Sequence, residues 1–193
     1  MTSFIAKAAL PTKYVDFTIH AFVHDQQEHL VLTKGEFTQA DVVLTRVHSE
    51  CLTGDGLFSL RCDCGPQLEY AMQEIGKRDK GMIIYLRQEG RGIGLLEKIK
   101  AYELQDKGVD TYDANLQLGH PADNRNYAML ATVFSHFNVS KIDLMTNNPD
   151  KIAAIEKAGV TINQRIAANV GHNQHNESYL QTKVDKFHHL KCS

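Results

Sequence analysis

The chain has 193 residues, enough for one domain with a sizeable core, and its 42% hydrophobic and 23% charged content is that of an ordinary globular protein. A formal net charge of −2 excludes a global basic field for nucleic acid or an acidic membrane surface, so an anionic ligand would need a local basic site. No apolar run is long enough to span a bilayer and "MTSFIAKAALPTKY" lacks the apolar stretch of a secretory signal, so no nucleic-acid or membrane partner is expected and the cytoplasm is the expected location.

The first fifty residues read as strands. "YVDFTIHAFVH", "EHLVLT" and "DVVLTRVH" are short β-rich runs, and "KGEF" supplies a turn between the last two. From residue 66 the pattern changes. "PQLEYAMQEIGKRDK" opens on Pro66, suited to a first helical turn, and aligns Leu68, Ala71, Met72 and Ile75 on one face. "GMIIYL" at 81–86 is a buried strand. "GIGLLEKIKAYELQDKG" is helical, with Leu95, Ile99 and Tyr102 on one stripe and Gly108 as a stop.

"NYAMLATVFSHF" places Tyr127, Leu130, Ala131 and Phe134 on a third helix face, and "KIDLMT" is the next strand. "NNPDKIAAIEKAG" carries full helix punctuation: Asn148 as N-cap, Pro149 at the first position, Gly159 at the end. "VTINQRIA" follows as a strand. "NESYLQTKVDKFHHL" closes as a helix with Leu180, Val184 and Phe187 aligned, and with His188 and His189 on its solvated end. The expectation is one α/β domain over 1–193, built on a mixed sheet with a β-rich N-terminal portion and β/α alternation after residue 66.

Three of the four cysteines fall in "RVHSECLTGDGLFSLRCDCG", residues 46–65. In a cytoplasmic protein such clustering points to metal or catalysis more than to disulfides. Cys51, Cys62 and Cys64 offer three ligands, which leaves a zinc ion one open position for water, the arrangement of catalytic zinc. Cys62 and Cys64 would face one metal if the backbone between them is extended, and Arg61 would stabilise thiolate charge. Two alternatives stay open: structural zinc with a distant fourth ligand (His48, another His, or Cys192, which is otherwise incidental), and thiols that bind no metal.

"YLRQEGRGIGLLEKIKAY" puts Arg87, Gln88, Glu89 and Arg91 directly after a buried strand, interleaved with Gly90, Gly92 and Gly94. Ligands of open α/β sheets bind at such strand ends, and arginine presents a planar fork to phosphate oxygens. The stretch lacks the full dinucleotide fingerprint and the chain has no P-loop. A polar loop with glycines marking a helix start is the plainer reading. In "HPADNRNYA", His120, Asp123 and Arg125 occupy a polar loop, where Asp123 and Arg125 would otherwise be a surface ion pair of little value. In "MTNNPDKI", Thr146 ends a strand and Lys151 stands in a first helical turn. The helix dipole disfavours a cation there unless an anion is bound.

Taken together, "RVHSECLTGDGLFSLRCDCG", "RQEGRGIGL", "LGHPADNR" and "TNNPDKI" resemble GTP cyclohydrolase II, in that family's order and spacing over nearly the whole chain. The resemblance implies hydrolysis of GTP to 2,5-diamino-6-(5-phosphoribosylamino)pyrimidin-4-one with release of formate and pyrophosphate, the opening step of riboflavin biosynthesis. It implies one zinc ion per chain on Cys51, Cys62 and Cys64 with a water, Mg2+ with the GTP phosphates, and a homodimer. It assigns GTP contacts to Arg46, Val47, His48, Ser49, Glu50, Gln67, Glu89, Gly90, Arg91, Thr111, Thr146 and Lys151. Asp123 matches the proton acceptor and Arg125 the position given as nucleophile. Departures are Val15 where relatives commonly carry Gly, Pro66 after "CDCG", and His120 in place of an aromatic residue.

In this reading the metal activates water for attack on carbon 8 of guanine, with Tyr102 as a proton relay near that carbon. Arg46, Arg91, Arg125 and Lys151 neutralise the phosphates. A guanidinium is a poor nucleophile, so Arg125 also reads as an electrostatic clamp. "HSEC" echoes a zinc deaminase, but the C-x-x-C of that family is absent. A relative that stops at the formamide or removes only pyrophosphate, and a non-catalytic GTP or zinc sensor, are the remaining alternatives.

Overall fold

A computed structural model describes residues 1–190. The chain gathers into two compact units, each assembled from separated stretches of sequence. The first comprises 1–48, 69–87 and 127–168, and the second 49–68, 88–126 and 169–193.

The first unit carries the sheet. Its strands are β1 (Thr2–Pro11), β2 (Asp16–His24), β3 (Gln27–Lys34), β4 (Val42–Ser49), β5 (Gly81–Leu86), β6 (Lys141–Met145) and β7 (Thr161–Ile166). Their order is β1-β2-β3-β5-β4-β6-β7. The sheet is mixed: β1, β2, β3 and β5 pair antiparallel in succession, whereas β4, β6 and β7 pair in parallel. Two-residue hairpin loops demand left-handed backbone, and Asp25 and Gln26 between β2 and β3 both adopt it, with φ of 47° and 67°. The continuous apolar run of β5 suits its place inside the sheet, where Met82, Ile83, Ile84 and Leu86 are wholly buried.

Two helices of this unit were legible in outline. In α5 (Leu130–His136) the buried side chains are Leu130, Val133 and Phe134, so Ala131 lies outside and the packed face is rotated from the expected one. In α6 (Pro149–Lys157) the Asn148 side chain accepts from the Asp150 N–H at 2.7 Å, as an N-cap should. Gly159 takes a φ of 80° just beyond its end.

The second unit is helical. It holds α1 (Leu52–Asp55), the opening of α2 (Cys64–Gly76), a tight turn at Glu89–Gly92, α3 (Leu95–Asp106), α4 (Thr111–Gln117) and α7 (Glu177–Asp185). The expected apolar stripe of α3 is split: Leu95 and Ile99 are exposed, Tyr102 is half-buried, and Lys98 and Ala101 are the buried positions. In α7 the helix ends before Phe187, and His189 is half-buried while His188 is exposed. Cys192 lies outside the described residues.

Candidate functional site

The three-cysteine stretch folds as two short turns pressed together. Cys51 stands at the N-terminal cap of α1, Cys62 on a bend, and Cys64 at the first position of α2. The extended backbone expected between Cys62 and Cys64 is therefore not what aims them. The bend into α2 does so instead, because a helix start turns the chain back within two residues. The three sulfurs lie within 4.8 Å of one another, with Cys51 Sγ 3.6 Å from Cys62 Sγ.

Glycine makes this approach possible. A Cβ on Gly54 would stand 2.8 Å from Cys62 Sγ and 3.2 Å from Cys51 Sγ, and one on Gly65 would stand 2.2 Å from the Gly54 carbonyl oxygen. Sulfurs bound to one tetrahedral zinc at about 2.3 Å stand about 3.8 Å apart, so this cradle fits such an ion. Among the described residues no other His, Cys, Asp or Glu joins the group.

The negative charge of the cluster settles on Cys51. Hydrogen bonds from the Cys62 and Cys64 thiols, helped by the Lys98 ammonium, hold its pKa far below the ordinary thiol value. That charge pushes Cys62 up to about 11 and Cys64 well above its usual value.

The stabilising cation expected from the sequence is Arg61. That guanidinium instead pairs with Asp106 at 2.9 Å and lies over the Tyr102 ring, 4.4 Å from its centroid. The cation at the sulfurs is Lys98, whose Nζ donates to Cys51 Sγ at 3.1 Å, Thr53 Oγ1 at 2.9 Å and Glu89 Oε1 at 2.8 Å. Lys98 was missed because Leu95, Ile99 and Tyr102 outweigh it in hydrophobicity. The signal available was its sharing of one helix face with Ala101 and Tyr102, three and four residues on.

Tyr102 does reach the cluster. Its hydroxyl is 3.2 Å from Thr53 Oγ1, and burial raises its pKa, so it is neutral at pH 7. Glu89 faces inward: Oε1 also accepts from the Gly90 N–H at 2.9 Å, and Oε2 from the Leu52 N–H at 2.6 Å. Gln67 Nε2 donates to Asp63 at 2.6 Å, and Asp63 also pairs with Lys183 of α7.

The loop after β5 meets the "ADNR" loop through backbone. Gly90, Arg91 and Gly92 all have positive φ, and a Cβ on Gly92 would come 2.7 Å from the Asn124 carbonyl oxygen. Asn124 N–H donates to the Arg91 carbonyl at 2.9 Å. Arg91 then reaches Thr111 Oγ1 at 3.2 Å and stacks on Phe187, 4.2 Å from the ring centroid.

Arg125 grips Asp123 through Nε, at 2.9 and 3.0 Å from the two oxygens, and through a terminal nitrogen. The pair is largely buried, with side-chain exposures of 11% and 24%, so it is not the surface ion pair weighed from sequence. Burial opposes the charge on Asp123, but Arg125 outweighs it and lowers its pKa. Ser49 Oγ is buried without a hydrogen-bond partner among the described residues, and Glu50 beside it is half-buried.

The remaining candidates lie in the first unit. Arg46, on β4, is buried and donates to the Met145 carbonyl at 3.0 Å. His48 stacks on Tyr85 at 5.4 Å between centroids. Val47 places its side chain in the core, and its carbonyl accepts from Lys151 Nζ at 2.7 Å. Thr146 Oγ1 accepts from the Asn148 N–H at 3.1 Å.

Fold and site together define an α/β protein with a cysteine group suited to a metal ion and arginine-bearing loops suited to an anion. The family model described as GTP cyclohydrolase II matches residues 3–167. The chain is 50% identical over 191 residues to GTP cyclohydrolase-2 of Neisseria meningitidis serogroup C, covering 98% of this chain and 97% of that one. It is 53% identical over 189 residues to GTP cyclohydrolase-2 of Pseudomonas paraeruginosa, covering 97% and 92%. Among solved structures, a two-domain 3,4-dihydroxy-2-butanone 4-phosphate synthase from A. baumannii aligns with a TM-score of 0.48 and 17% identity, over 86% of this chain and 40% of that one. The chain belongs to the GTP cyclohydrolase II family and is an enzyme, a hydrolase.

Proposed function

We propose that this enzyme hydrolyses GTP, opening the guanine imidazole ring and releasing formate and pyrophosphate. The product is 2,5-diamino-6-(5-phosphoribosylamino)pyrimidin-4-one, and the reaction is the first step of riboflavin biosynthesis. The observation that carries this reading is the convergence of Cys51, Cys62 and Cys64 within 4.8 Å in a member of this family. Zinc held by those sulfurs would supply a Lewis acid that makes water nucleophilic near neutral pH, which carbon 8 of guanine requires.

The chain's own residues supply the rest. Tyr102, neutral and 3.2 Å from Thr53 Oγ1, holds a proton at its hydroxyl for transfer to or from the opening ring. Ser49 and Glu50 give hydroxyl and carboxylate oxygens to the substrate, with Gln67, Gly90 and Thr111 contributing further polar contacts. Arg46, Arg91, Arg125 and Lys151 answer the phosphates, which carry Mg2+. His48, Val47 and Thr146 complete the substrate set through the motifs they share with the family. The working enzyme is a cytoplasmic homodimer.

For Arg125 the geometry favours one of two roles. A guanidinium held by a carboxylate from two nitrogens stays protonated, so it stabilises phosphate charge rather than attacking phosphorus. Asp123 then orients Arg125.

The test compares wild type with Cys62→Ser, both supplied with zinc, Mg2+ and GTP. Formate release by wild type that is lost in Cys62→Ser supports the reading. Formate release unchanged by the substitution overturns the role given to the cysteines. Formamide without formate identifies an enzyme that stops one hydrolysis short, and tight GTP binding without turnover identifies a sensor.

A further inference from the structure

A lysine with 8% of its surface exposed is rare unless its charge is matched. Lys98 is matched on three sides, by Cys51 Sγ, Thr53 Oγ1 and Glu89 Oε1 at 2.8–3.1 Å. The Glu89 carboxylate that holds the ammonium also accepts from the N–H of Leu52, the residue after Cys51. One carboxylate thus fixes both the cysteine's backbone and the cation aimed at its sulfur. Gly90 makes room for this, since a Cβ there would stand 3.1 Å from Lys98 Cβ. Cys62 and Cys64 have no such ammonium contact among the described hydrogen bonds, so the three sulfurs are not equivalent.

We propose that Lys98 is a positioning residue of the metal centre, which fixes the direction of the Cys51 sulfur and, by hydrogen-bonding to it, makes Cys51 a weaker electron donor to the metal than Cys62 or Cys64. The proposal rests on the reading of the cysteine group as a metal site. Groups that hydrogen-bond to metal ligands orient them and tune the ion, and their loss typically weakens metal binding by about 10–100-fold. A less electron-rich sulfur leaves the ion a stronger Lewis acid, which is the property ring opening needs.

Cobalt titration of the full chain tests this directly, with zinc affinity measured by chelator competition. The variants are Lys98→Met and the double variant Lys98→Met/Glu89→Gln, which leaves no unpaired buried carboxylate. Wild type should bind cobalt with a sulfur-to-cobalt charge-transfer band. In both variants that band should move to longer wavelength and zinc affinity should fall roughly tenfold. Wild-type spectra and affinity in both variants would overturn the proposal, as would a double variant that recovers what Lys98→Met loses, since the defect would then belong to Glu89 left unpaired. If Lys98→Met does not fold by circular dichroism, the double variant carries the comparison. Failure of wild type to bind either metal would overturn the metal reading itself and this proposal with it.

Discussion

Arg125 and Asp123, two residues apart, form a two-pronged pair that is largely buried, and the Arg125 backbone N–H adds a fourth bond to the same carboxylate at 3.0 Å. The loop is thus built around one guanidinium held in a fixed plane. Lysine cannot reproduce that fork. Arg125→Lys should lower kcat by about 100-fold or more with a smaller change in KM, as expected when charge stabilisation is lost mainly in the transition state. Steady-state kinetics of formate release measures this. Rapid quench should trap no phosphorylated protein in wild type, and a burst of phosphoryl-enzyme would instead make Arg125 the nucleophile.

Gly54 gives a second prediction. The methyl of Gly54→Ala would sit 2.8 Å from Cys62 Sγ and 3.1 Å from Cys64 Cβ, so the sulfurs must move apart. Overpacking of this kind costs about 1–3 kcal/mol. Here it would also spoil the proposed zinc ligand set. Zinc per chain, measured by elemental analysis after dialysis, should fall from about one to well under one, and activity should fall in proportion. Full zinc content in Gly54→Ala would separate the cradle from metal binding.

The N-terminal sheet gives a pH prediction. His29 is wholly buried on β3, its Nδ1 accepts from the Arg87 N–H at 3.0 Å, and its Nε2 is buried without a partner among the described residues. Burial, with His24 and Arg87 nearby, pushes its pKa down to about 4, against about 6.5 in an unfolded chain. Between those values the unfolded state binds a proton that the folded state refuses, so stability falls as pH falls from about 6.5 to about 4. The linked loss is about 3 kcal/mol at most. Urea midpoints should decline across that window, and His29→Gln should flatten much of the decline. An undiminished decline in His29→Gln would assign it to other groups.

Where local chemistry decides structure, the sequence was readable. The Asn148 cap, Pro149 and Gly159 bound α6 closely, and "GMIIYL" is β5 residue for residue. The three cysteines were readable too, because their spacing and the order of the surrounding motifs survive without any knowledge of the backbone. Lys98 was not, since its burial depends on Cys51 and Glu89, forty-seven and nine residues away. On the same helix Leu95 and Ile99 face outward. β1 was missed as a distinct strand because "SFIAKAAL" carries little β-propensity. Pairing with β2 makes it a strand, and its side chains are nearly all exposed. The short α4 was missed although Asp110 caps it by accepting from the Tyr112 and Asp113 N–H groups.

On the proposed function, one enzyme both opens the guanine ring and releases pyrophosphate, with the cysteine group serving the first event. The most direct measurement is formate and pyrophosphate quantified together per GTP consumed, using zinc-loaded protein with Mg2+. One of each is expected for every GTP. Pyrophosphate without formate, or GTP bound and left unconsumed, would contradict it.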